Sequence, residues 1–129
     1  VHPVIVADTE AQISEIGGLV VRDPATDLLR VNQEFSVSVV VVRCHTTEAG
    51  GRRWKVRFDT SLRPDITVAV RLDRSNQTAL DYYLLPQLDF GQPRISLAEH
   101  NGIEFESYRF DSMDFLYGMA ERTRVRRAA

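Results

Sequence analysis

The segment Phe35-Ser36-Val37-Ser38-Val39-Val40-Val41-Val42-Arg43-Cys44 limits the folds open to this chain more than any other stretch. Valine has little rotamer freedom at χ1, which disfavours helix, and its branched side chain fits a pleated surface. The run alternates Ser with Val and then becomes continuously apolar. That change predicts a strand that starts half exposed and ends covered on both faces. Such a strand needs neighbours, and two follow closely. In Arg53-Trp54-Lys55-Val56-Arg57-Phe58 the apolar residues occupy one face and the cations the other. In Ile66–Leu72 the residues Ile66, Val68, Val70 and Leu72 are expected inward and Thr67, Ala69 and Arg71 outward, with Pro64 marking the start. The connections look short, and short connections predict antiparallel pairing.

Thr9-Glu10-Ala11-Gln12 has the spacing of a capping box, so a short helix is expected from Thr9, presenting Ile13 and Ile16 and stopping at Gly17-Gly18. Leu19–Arg22 and Leu28–Val31 flank the turn-rich Asp23-Pro24-Ala25-Thr26-Asp27 and read as a hairpin. Leu80-Asp81-Tyr82-Tyr83-Leu84-Leu85-Pro86 reads as a further strand whose two tyrosines point to opposite faces, and Ile95–Leu97 as a short edge strand. Met113, Leu116, Tyr117 and Ala120 recur at helical spacing after Asp111, a capping residue, which predicts an amphipathic helix over 111–122. Arg122, Arg124, Arg126 and Arg127 follow at its C-terminal end, where they complement the helix dipole. The expected fold is α+β: a mostly antiparallel, twisted sheet of about five strands with the C-terminal helix packed on one face.

At 129 residues the chain is long enough to bury roughly two thirds of its unfolded surface around one core. No Pro/Gly/Ser-rich stretch divides it, so residues 1–129 are read as a single globular domain. Its first residue is Val rather than Met, which suggests a piece of a longer chain. The longest uncharged apolar run, Val37–Val42 with one Ser, is far below membrane-spanning length. The start lacks the pattern of a signal peptide, so the expected setting is cytoplasmic with no membrane partner.

Few arrangements of reactive residues stand out. The chain has one Cys and three His, and Cys44-His45 is the only place where the two types adjoin. Adjacent strand residues face opposite ways, so the pair suits neither a zinc site nor a Cys/His catalytic couple. There is no Gly-x-Ser-x-Gly elbow and no phosphate loop; Gly17-Gly18 and Gly50-Gly51 lack the required spacing and following Lys. No catalytic residue, metal ligand or cofactor is therefore assigned.

The cations are more informative. Of 16 basic residues, all but Lys55 are Arg, although the net charge is −2. Arg52, Arg53, Lys55 and Arg57 surround Trp54. If 53–58 and 66–72 are neighbouring strands, Arg71 joins their outer face. Planar guanidinium groups suit bidentate phosphate contacts and base stacking, so these five residues are the candidate nucleic-acid-binding set. The same alternation also describes a plain solvated face, with Asp59, Asp73 and Asp81 as candidate neutralising partners.

The order of elements over residues 9–127 (helix, hairpin, long strand, further strands, the Asp-Tyr-Tyr-Leu-Leu-Pro strand, final helix) resembles the restriction-endonuclease-like superfamily, including its intron-associated nucleases. That resemblance implies a metal-binding Asp before a strand carrying Glu or Gln, one residue, then Lys, the carboxylates holding a divalent cation. Asp27 takes the first position and Glu34 lies near the second. However, Val37–Arg43 contains no Glu-x-Lys, a second placement with Pro64-Asp65 before Ile66–Leu72 finds neither Glu nor Lys in that strand, and Lys55 is preceded at two residues by Arg53. The expectation is accordingly a non-catalytic accessory domain, associated with DNA through phosphate contacts, of a larger recombination or mobile-element protein. The alternatives are a protein-interaction or homodimerisation module, and a degenerate metal-dependent nuclease.

Overall fold

The structure, a computed structural model, describes residues 2–16 and 18–128, apart from the side chains of His2, Glu104, Arg126, Arg127 and Ala128. Its elements are α1 (His2–Glu15), β1 (Val20–Arg22), β2 (Leu29–Val31), β3 (Phe35–Val42), β4 (Cys44–Thr46), β5 (Arg52–Arg57), β6 (Ile66–Leu72), β7 (Ala79–Pro86), β8 (Arg94–Ala98), a short helix α2 (Ile103–Glu106), β9 (Arg109–Phe110) and α3 (Leu116–Ala128). The α+β class is as expected, but there are two sheets. The larger has six strands in the order β1-β2-β3-β6-β7-β9 and the smaller three in the order β4-β5-β8.

The expected antiparallel sheet of five strands is corrected at its centre. β3 and β6 pair in parallel, from Val37 opposite Ile66 to Val42 opposite Arg71. Parallel pairing needs a crossover of a dozen residues or more, and residues 43–65 supply it. This crossover is not a helix. It leaves the large sheet at Arg43, forms the β4–β5 hairpin, and returns at Pro64. The short connections on either side of Arg53–Phe58 concealed it, because that strand belongs to the other sheet.

The result is three layers. On one face of the large sheet, Ile13 of α1 and Leu116 and Met119 of α3 pack on Val31, Val37, Val68, Val70 and Leu84. On the other, Trp54 and Val56 of β5 and Ile95 and Leu97 of β8 pack on Ala69, Tyr83 and Leu85. β6 is therefore buried along its whole length. Tyr82 and Tyr83 do point to opposite faces, and both are core residues. β3 is buried from Phe35 to Val37 and again at Val42, with Ser38–Val41 partly exposed between them, so its accessible part lies mid-strand rather than at the start.

Two helix boundaries differ from the expected ones. α1 begins at His2, so Thr9 sits inside it, buried, with its hydroxyl donating to the Ile5 carbonyl at 2.9 Å rather than capping. Gln12 does not reach back to Thr9. Its amide instead donates to the Tyr82 hydroxyl at 2.9 Å and accepts from the Met113 N–H at 3.3 Å, joining α1 to β7 and to the segment before α3. α3 begins at Leu116, not at Asp111, and Met113 fills the core from the preceding turn. Of the expected stop at Gly17-Gly18, Gly17 lies outside the described residues. At Gly18 a Cβ would stand 2.0 Å from the Tyr117 hydroxyl, so a larger residue there would have to displace that side chain of α3. Of the terminal arginines, Arg124 pairs with Glu34 at 3.5 Å and with Glu121. Those of Arg126 and Arg127 are outside the described side chains.

Candidate nucleic-acid interface

The small sheet separates the charged cluster of the sequence into two groups. Along β5, Trp54 and Val56 are buried while Arg53, Lys55 and Arg57 are exposed. The register places His45 of β4 beside Arg53, and on β8 places Ala98 beside Arg53, Ser96 beside Lys55 and Arg94 beside Arg57. Directly opposed residues share a face, so His45, Arg53, Lys55, Arg57, Arg94 and Ser96 lie together on the outside of this sheet. β4, β5 and β8 contain no Asp or Glu at all. Among the described residues, Arg53, Lys55, Arg57 and Arg94 take part in no ion pair.

The carboxylate closest in sequence is already occupied. Asp59, two residues beyond Arg57, accepts from the Ser61 N–H at 3.0 Å, the Ser61 hydroxyl at 2.8 Å and the Leu62 N–H at 2.9 Å. These bonds, that from the Leu62 N–H foremost, hold its carboxyl below the usual range. Asp73 behaves likewise in the β6–β7 turn: the Ser75 and Thr78 hydroxyls bring it down to about 2. Two of the three acids named as neutralising partners are thus taken up by turns.

The third, Asp81, neutralises Arg71, and this corrects the expected outward position of that residue. Arg71 is completely buried. The face of β6 opposite α1 and α3 is covered by the small sheet, which alternation along β6 alone does not reveal. The guanidinium makes two bonds of 2.7 Å to Asp81, its cross-strand neighbour, and one of 2.6 Å to the Ala98 carbonyl. It lies 4.4 Å from the Trp54 ring centre and 4.9 Å from that of Tyr83. Arg109 reaches the same Asp81 carboxylate at 2.8 Å, and Trp54 Nε1 donates to the Leu72 carbonyl at 2.8 Å. Arg52, on the inner side of β5, pairs with Glu99 at 3.1 Å. Of the five candidates, then, Arg53, Lys55 and Arg57 share one accessible face, while Arg52 and Arg71 are engaged elsewhere. Arg94 was missed because its partner strand is distant in sequence. The Pro93-Arg94-Ile95-Ser96-Leu97 alternation was the available signal.

Asp27 and Glu34, the pair that the resemblance singles out, do not line one cavity. Asp27 has φ 64° and lines a cavity of about 140 Å³ with Arg22, Ser38 and Asp59. Glu34 lines a different, smaller one beside Asp65, Glu121 and Arg124. The Arg22 guanidinium binds Asp27 at 2.6 Å and also pairs with Glu10 of α1. The first of the two carboxylates is thus already neutralised by an arginine. Among the described residues, no three of the Cys, His, Asp and Glu side chains are grouped to ligate one. The residues present do not fit the metal centre that the resemblance implies.

No protein-family model matches the sequence, and no curated protein matches it by sequence. Among solved structures, the fold is similar to that of a bacterial homing endonuclease, I-Ssp6803I, with a TM-score of 0.55 and 16% identity, over 92% of this chain and 87% of that one. No helix among the described residues is long and apolar enough to cross a membrane. At this level of identity the likeness is one of fold alone: the two chains share an α+β arrangement.

Proposed function

We propose that this chain is a DNA-associated domain of a recombination or mobile-element protein, which holds nucleic acid through the outer face of the β4-β5-β8 sheet. The observation that carries the reading is a three-stranded sheet without a single carboxylate, whose exposed face presents Arg53, Lys55, Arg57 and Arg94, in no ion pair among the described residues. Exposed cations without intramolecular partners keep their full attraction for phosphate. The nuclease-like fold supports a nucleic-acid setting, since the structure it resembles is a homing endonuclease. The separation of Asp27 from Glu34, and the engagement of Asp27 by Arg22, favour an accessory role over strand cleavage.

Fluorescence anisotropy with duplex and single-stranded oligonucleotides across a salt series tests the proposal. If four cations each displace a counterion from B-DNA, log K falls against log salt with a slope of about −3.6. The triple variant Arg53→Gln/Lys55→Gln/Arg57→Gln retains a slope near −1. No binding at low salt, or binding with the same slope in the variant, overturns it.

A further inference from the structure

Within that face, the structure assigns Arg57 and Arg94 to one two-arginine clamp for a single phosphate group. Phe58 donates its N–H to the Pro93 carbonyl at 2.9 Å. In an antiparallel ladder, directly opposed residues alternate between hydrogen-bonded and non-hydrogen-bonded pairs. With 58 opposite 93 hydrogen-bonded, 57 opposite 94 is a non-hydrogen-bonded pair. Such pairs bring their Cα atoms to about 4.5 Å and their side chains closest together. Two arginine side chains therefore leave the sheet from directly opposed positions on one exposed face, with no carboxylate in any of the three strands between them.

Like charges directly opposed across a sheet destabilise it. Arginine cannot relieve this by losing its proton. What relieves it is an oxyanion between the two forks, because each guanidinium can donate two parallel bonds to a phosphate. The other pairs of this face lack that arrangement: Lys55 faces Ser96 and Arg53 faces Ala98. The rung at Pro93 has a single hydrogen bond, since proline has no N–H to return. The paired arginines thus lie next to a half-bonded rung at the end of the β5–β8 ladder. Naming the anion as a backbone phosphodiester rests on the proposed association with DNA; the clamp itself does not.

The test is thermal unfolding at fixed low ionic strength, in chloride and in inorganic phosphate, of the wild type, Arg57→Gln, Arg94→Gln and Lys55→Gln. Phosphate is expected to raise the Tm of the wild type and of Lys55→Gln, with a loss of tenfold or more in phosphate affinity in either arginine variant. Either arginine variant is also expected to melt above the wild type in chloride, which a merely structural role for these residues would not produce. Equal losses in Lys55→Gln and Arg94→Gln would reduce the effect to net charge and overturn the clamp. Oligonucleotide titrations of the same proteins separate the two readings. A phosphate effect confined to the two arginines, without any oligonucleotide binding, keeps the clamp and removes the DNA assignment. Oligonucleotide binding whose salt slope drops equally in Arg57→Gln, Arg94→Gln and Lys55→Gln, with no arginine-specific phosphate effect on Tm, keeps the DNA reading and removes the clamp.

Discussion

Asp81→Ala is expected to destabilise this protein more than Arg71→Met, although the two residues form one ion pair. Both are buried, at 0% and 2% exposure. Removing Asp81 leaves the Arg71 guanidinium inside the protein with only the Ala98 carbonyl and two aromatic faces for partners, and an uncompensated buried charge of this kind costs about 3–5 kcal/mol. Removing Arg71 is different, because Asp81 keeps Arg109 at 2.8 Å. Its costs are the lost charged bond to the Ala98 carbonyl, which keeps the Asn101 amide as a donor at 2.9 Å, and the lost stacking on Trp54, together about 1–3 kcal/mol, partly offset by the apolar volume of Met. Urea unfolding measures the difference. With an m-value of about 2 kcal/mol/M, the midpoint falls by about 1.5–2.5 M in Asp81→Ala and by about 0.5–1.5 M in Arg71→Met. Trp54, the single tryptophan of the chain, is fully buried against the same guanidinium and reports the transition by fluorescence. The double variant Arg71→Met/Asp81→Leu is expected to recover part of the loss, since an apolar pair replaces a pair of buried ions. Equal destabilisation by the two single variants, or a larger effect in Arg71→Met, refutes the reasoning, because it would mean that Arg109 does not share the charge of Asp81.

Two further outcomes follow from local geometry. Gly18→Ala places a methyl group 2.0 Å from the Tyr117 hydroxyl, so it should cost about 1–3 kcal/mol by urea unfolding, with part recovered in Gly18→Ala/Tyr117→Phe. Asp73 titrates at about 2 in the folded chain against an ordinary value near 3.8, so its turn adds stability above about pH 4 that is lost as the pH falls toward 2. In Asp73→Asn the stability at neutral pH should drop and the acid limb of a pH–stability curve become shallower; an unchanged limb would show that the turn opens for another reason.

The elements were largely legible because each has a local cause. The Val-rich strand, the alternation in Arg52–Arg57 and the turn between β1 and β2 all follow from neighbouring residues. What escaped was partnership between distant segments. A strand that leaves one sheet for another looks, residue by residue, like a strand that stays, and only the parallel pairing of β3 with β6 separates the two cases. Arg71 shows the consequence most clearly. In alternation it belongs with Thr67 and Ala69, and whether that set faces water depends on β5 and β8 lying over it. Thr9 and Gln12 failed for the opposite reason: a local motif matched, but α1 extends a further turn and more before it, and the capping residues became contacts inside the helix and to β7.

The same crossover explains how a chain of net charge −2 presents a cationic face. Because the β4–β5 hairpin is set apart from the large sheet, one of its sides can turn Trp54 and Val56 inward to close the second core while the other exposes Arg53, Lys55 and Arg57. Arginines are then sorted by the carboxylates within reach. Arg52 faces inward and finds Glu99; Arg71, on the strand beneath, finds Asp81. Among the described residues Arg53, Lys55, Arg57 and Arg94 have no ion pair, and Asp59, two residues beyond Arg57, is bonded into a turn. The buried pair and the free face are therefore linked. Arg71 joins β6 to β8 through the Ala98 carbonyl and supports Trp54 of β5 from below, so the ion pair inside the protein is part of what holds the cationic sheet in position.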